Sequence, residues 1–124
     1  MTIRKICFMC VMMLMMQPVM AATSVVQEMA GVLVNLEHYA TDSQKSRLME
    51  LARNNASTQQ EKVVANAIAN VNHAVADVDK PKLKRVIDDE TTPAEVRDLA
   101  GIILNLNHRP SSTDKNKLHQ IMDR

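Results

Sequence analysis

The amino-acid sequence predicts an all-α domain of three tandem helix-turn-helix repeats, packed as a short right-handed-type solenoid or as a compact six-helix bundle. Three observations lead there. The chain repeats itself with a period of 35 residues, apolar positions within each copy recur at helical spacing, and no segment carries a strand signal. Written beneath one another, residues 23–57, 58–92 and 93–124 align without a gap, the third copy ending three residues short. Five columns are identical in all copies: Ala30/Ala65/Ala100, Asn35/Asn70/Asn105, His38/His73/His108, Lys45/Lys80/Lys115 and Leu48/Leu83/Leu118. Others keep their apolar character, among them Leu33/Ile68/Ile103 and Leu51/Val86/Ile121.

The segment ahead of the repeats reads as an export signal. Arg4 and Lys5 precede an uncharged apolar run from Ile6 to Met16. Gln17 and Pro18 break it, and Val19-Met20-Ala21 offers small residues to a signal peptidase. Cleavage is expected after Ala21, which makes residues 1–21 a leader and 22–124 a single mature domain in the periplasm or outside the cell. Eleven helical residues rise about 16 Å, too short for a hydrocarbon core of about 30 Å, so no stable membrane insertion is expected after cleavage. The leader takes with it seven of the ten Met, Phe8, and both Cys7 and Cys10. The mature domain contains no cysteine, which excludes disulfides, thiolate metal sites and cysteine catalysis. The formal charge falls from +1 to −1 on cleavage, giving no electrostatic case for nucleic acid. Tyr39 is then the single aromatic ring of the Phe, Tyr and Trp type, too little for a base- or sugar-stacking platform.

In each copy a first helix carries a broad apolar face, in the first copy Val25, Val26, Met29, Val32, Leu33 and Leu36. Capping boxes are read at Ser24-x-x-Gln27, Ser57-x-x-Gln60 and Thr92-x-x-Glu95, with Pro93 at the first helical position. A second helix opens after Thr41-Asp42-Ser43, Asp77-Val78-Asp79 and Ser111-Ser112-Thr113, with Pro81 confined to a first turn. The wide apolar arc makes the first helix the inner one, with Ala30, Ala65, Ala100, Gly31 and Gly101 allowing close approach. The second helices form an outer layer. With the last copy short, Ile121 and Met122 are expected to lie uncovered at one end, where they would drive a homodimer. In repeat length and hairpin architecture the chain is similar to tetratricopeptide-type arrays. It lacks their Trp-x-x-Leu-Gly-x-x-Tyr signature, so no binding residue is carried over.

Three repeated polar positions are the candidate functional residues. The Asn and His are expected on the first helix, where Asn35 lies about 200° and His38 about 140° around the axis from Leu33, away from the apolar arc. Asn35, Asn70 and Asn105 with His38, His73 and His108 would then form ladders, one rung per repeat, bracing the repeats or facing a partner. A metal site on the three His ranks last, because neighbouring helices stand about 8–10 Å apart while ligands must lie about 2.1 Å from one ion. A tightly closed bundle alone would bring them together. Lys45, Lys80 and Lys115 sit near the start of the second helix, an unfavourable end for a cation, and call for acidic partners such as Asp42, Asp79 or Asp114.

Catalysis is not expected. No Gly-rich phosphate loop is present, no haem-attachment Cys-x-x-Cys-His occurs, and no Ser, His and acid recur together as a triad. The expected function is that of a small interaction module of the cell envelope with a protein or peptide partner and no cofactor or metal. A periplasmic holding chaperone or stress protein is the first alternative, and a His-based metal or small-ligand binder the second.

Overall fold

Each repeat folds as two helices, and the computed structural model describes residues 23–124; the leader read over residues 1–21 lies outside them. The described elements are α1 (Ser24–Val34), α2 (Asp42–Arg53), α3 (Gln59–Asn70), α4 (Lys80–Asp88), α5 (Ala94–Leu104) and α6 (Ser112–Met122). None is long and apolar enough to cross a membrane.

The odd-numbered helices are the inner ones, as their apolar arcs require. α1, α3 and α5 all touch one another, and Met29, Ala30, Leu33, Val64, Ala65, Ile68, Leu99, Ala100 and Ile103 are fully buried. Between the two packings, the chain adopts the closed bundle. Each outer helix lies chiefly against the inner helix of the following repeat, α2 on α3 and α4 on α5. α6 completes the circle on α1. Ile121 is therefore buried, at 2 % exposure, and does not lie uncovered at a stack end. Met122 is exposed as expected, at 37 %, although its Cε stands 3.8 Å from where a Cβ on Gly31 would be. Gly101 has nothing within 4 Å of that point, so close packing does not explain this glycine.

The helix starts fall one residue from the expected boxes. Thr23 Oγ1 accepts from the Val26 N–H, and Thr58 forms a full capping box with Glu61. Pro93 stands at the same repeat position before α5, with no side-chain cap. Ser57 and Thr92, read as caps, instead have buried hydroxyls without a hydrogen-bond partner. Thr41 and Ser111, from the segments expected to cap the outer helices, are the N-caps of α2 and α6, each side chain accepting an N–H of the first turn. The second copy has Ala76 in that column, which offers no capping oxygen. α4 accordingly opens later, at Lys80, with Pro81 in its first turn.

Candidate metal centre

The inner helices end before the repeated His. α1 stops at Val34, α3 at Asn70 and α5 at Leu104, so His38, His73 and His108 lie in the connecting loops. Each loop is pinned on both sides of its His. Leu36, Val71 and Leu106 are buried two residues before, and Ala40, Val75 and Pro110 two residues after. The His itself takes a left-handed backbone conformation, with φ of 67°, 65° and 64°. These are the non-glycine residues with positive φ among those described.

That conformation lets the three loops join. His38 N–H donates to the His108 carbonyl at 2.7 Å, His73 N–H to the His38 carbonyl at 2.6 Å, and His108 N–H to the His73 carbonyl at 2.7 Å. The result is a closed backbone ring with approximate threefold symmetry at one end of the bundle. Above it the imidazoles stand edge to face, with ring centroids 5.0–5.2 Å apart and interplanar angles of 69–78°. Their Nδ1 atoms form a triangle with edges of 3.2, 3.2 and 3.1 Å. The expected row, one rung per repeat, is replaced by a point. Closure of the bundle is the cause, because it brings equivalent positions to the symmetry axis.

Hydrogen bonding alone does not account for such a triangle. A neutral imidazole offers at Nδ1 either one proton or one lone pair. Whatever the tautomers, at least one of the three edges sets lone pair against lone pair or proton against proton. A cation removes the conflict by accepting three lone pairs at once. Three nitrogens about 2.0–2.1 Å from a tetrahedral ion stand about 3.3–3.4 Å apart, within a few tenths of an ångström of these edges. No fourth His, Cys, Asp or Glu joins the three among the described residues. The three His carbonyls are occupied by the backbone ring.

Helix dipoles act in both directions at this tip. α1, α3 and α5 end there without a basic side chain in the last turn and present partially negative ends. α2, α4 and α6 begin at the same end and present partially positive ones.

The other repeated residues do not converge. Asn35 donates to the Gly31 carbonyl of its own helix at 3.2 Å, and Asn70 donates to Asp79 Oδ2 at 3.1 Å. Asn105 caps α5 through its backbone N–H. The Asn column thus closes helix ends and forms no ladder between repeats. Lys80 pairs with Asp77 at 2.8 Å rather than with Asp79, and holds that carboxyl below its usual range by hydrogen bond and charge. Lys45 lies over the Tyr39 ring, 5.7 Å from its centroid, and Lys115 lines a crevice with Arg109. The residues flanking each His were not singled out by sequence: Glu37 and Tyr39, Asn72 and Ala74, Asn107 and Arg109, all exposed. A separate hollow between α3 and α4 is bordered by Gln60, Lys82, Arg85 and Asp89. Across it Gln60 Nε2 donates to Asp89 Oδ2 at 3.4 Å, and Arg85 Nε donates to the Pro81 carbonyl at 3.4 Å. Compared with protein-family models, curated proteins and solved structures, the chain matches none of them.

Proposed function

We propose that this chain is a small exported metal-binding protein that holds one divalent transition-metal ion on His38, His73 and His108. The observation that carries the reading is the Nδ1 triangle with edges of 3.1–3.2 Å, built on three residues held in a left-handed conformation. A left-handed non-glycine residue costs about 1–2 kcal/mol, and three meet here at one exposed point. Gly would enter the same backbone without a Cβ clash, and the choice of His at all three points supports a role for the imidazole itself. Neutral nitrogen ligands without thiolate suit zinc, copper, nickel and iron(II). The leader read in residues 1–21 supports delivery to the periplasm or beyond.

The test is equilibrium dialysis of the 22–124 domain against zinc, cobalt, nickel and copper. One ion per chain is expected, lost in a His38, His73, His108→Asn variant that keeps the left-handed turns. No stoichiometric binding of any of the four ions would end the proposal. A partner-facing tip is the second reading, favoured by Tyr39, which is 57 % exposed immediately beside His38. It would show as a Tyr39→Ser loss of partner capture that does not depend on metal.

A further inference from the structure

The three repeats share one framework, so a column where one copy departs from the other two isolates a change of chemistry. In the first copy Arg47 Nη2 of α2 donates to Glu28 Oε1 of α1 at 2.9 Å, and in the third Lys117 of α6 pairs with Asp98 of α5 at 3.8 Å. The two pairs occupy equivalent positions, and each bridges the outer and inner helices of its own repeat. The second copy keeps the cation, as Lys82, but has Val63 in the acidic column. The hollow between α3 and α4 lies at that position, with a volume of about 250 Å³. We propose that this hollow binds a small amphiphilic carboxylate, its acid group held by Lys82 and Arg85 and its aliphatic stem laid against Val63 and Val86. The inference does not depend on the metal reading above.

Three features support it. First, the acid that neutralises this cation in the sister repeats is replaced by an apolar side chain. Among the described residues neither Lys82 nor Arg85 forms an ion pair. Arg85 donates through Nε to the Pro81 carbonyl, and its two terminal nitrogens, the fork that suits a carboxylate, have no partner among the described residues. Second, the charge on the lining is positive on balance, two cations against one acid, Asp89. Asp89 is engaged elsewhere: it accepts from the Thr91 hydroxyl at 2.6 Å, the Thr91 N–H at 2.9 Å and Gln60, and Arg97 stands near it. Glu61, the other acid of α3, is buried and accepts from the Thr23 hydroxyl and the Thr58 N–H. Asp88 and Glu90 are exposed and do not line the hollow. The start of α3 and the end of α4 meet at one side of it, where their opposite dipoles offset. Third, Val63 is half-buried and Val86 buried, which sets an apolar surface beside the two cations. The volume of about 250 Å³ falls below the roughly 300–1,000 Å³ of sites for drug-sized ligands, which calls for a short stem.

Amide chemical shifts of the metal-free protein, followed by NMR during titration with hexanoate, provide the test. Hexanoate is expected to shift Val63, Lys82, Arg85 and Val86 saturably in the millimolar range. Acetate, which lacks the stem, is expected to bind roughly tenfold more weakly, short of the full worth of four further methylenes because the hollow is open to solvent. Hexylamine, with a similar stem and the opposite charge, is expected to give no saturable shift. Val63→Glu restores the acid of the sister repeats. It is expected to fold as the parent does, since Glu28 and Asp98 occupy the same position, and to lose hexanoate binding. A Lys82→Gln, Arg85→Gln variant, changed at exposed positions alone, is expected to bind hexanoate roughly fivefold more weakly, the scale of two exposed charge interactions. Shifts that do not saturate, or that scatter over the surface, would overturn the site. Hexylamine binding as well as hexanoate would overturn recognition of the anion, and acetate binding as well would overturn the role of the stem. Undiminished binding in either variant would overturn the assignment to this hollow.

Discussion

A left-handed histidine is an expensive way to turn a chain, and the same substitution can be used to measure its cost and its use. Glycine enters this conformation without a Cβ clash. Replacing His38, His73 and His108 by Gly is therefore expected to leave the metal-free domain at least as stable, with a gain on the order of 1 kcal/mol per site where the backbone ring is retained. Metal binding should disappear in the same variant. Thermal melts in chelator, beside dialysis with zinc, check both halves. A large fall in melting temperature without metal would instead make the imidazoles structural. The His column itself is legible in the sequence, as one of five invariant columns. Its backbone is harder to read, because His is enriched at positive φ among non-glycine residues but announces it far less sharply than Gly does. A subtler sign is present. In Leu36-Glu37-His38-Tyr39-Ala40 buried residues recur at an interval of four, with the exposed His midway, as in a pinned loop. Leu36 also fits the helical apolar pattern, so periodicity alone extends the helix too far.

At the scale of the element, what the helices bury is readable and where they begin is less so. The apolar columns separate the inner and outer layers because burial follows directly from periodicity. The caps shift by one residue because Thr23 and Ser24, and likewise Ser57 and Thr58, are adjacent hydroxyl residues of similar capping ability. Two substitutions probe the helices directly. Gly101 lies within α5 with open space around the point a Cβ would occupy, so Gly101→Ala should stabilise the domain by about 0.5–1 kcal/mol, read by denaturant unfolding. Asp89, which caps the end of α4, accepts from the Thr91 hydroxyl and the Thr91 N–H, and these bonds lower its carboxyl pKa. A depressed folded-state pKa contributes stability above the unfolded value that is lost as pH falls through the folded one. Asp89→Asn should therefore lower the melting temperature at neutral pH, with the difference from the parent shrinking in acid. A deficit that stayed constant into acid would contradict this.

For the whole molecule, closure decides everything that depends on position. The repeat period is compatible with an open stack or a ring, and nothing in a column of identical residues distinguishes a row from a point. What distinguishes them is the docking of α6 on α1, a contact between the two ends of the repeat domain that local pattern does not encode. A metal at the axis would tie together residues 35 and 70 positions apart. Ligand present at a hundred times its dissociation constant adds about 2.7 kcal/mol to the folded state. For a domain of this size, about 4–8 °C accompanies each kcal/mol. Zinc at that excess should therefore raise the melting temperature by roughly 10–20 °C, and a scan in chelator should abolish the rise.

The backbone ring gives the closed bundle a consequence of ancestry and individuality. Three separate hairpins assembled around the same axis would place identical side chains in all three sectors of the tip. Joining the hairpins in one polypeptide frees each sector to change alone. The chain has used that freedom: an aromatic ring follows the first His, a methyl group the second and a guanidinium the third, while the ring beneath them remains threefold. An approaching molecule thus meets a symmetric centre inside an asymmetric frame. A self-assembled trimer of one hairpin could offer the first but not the second.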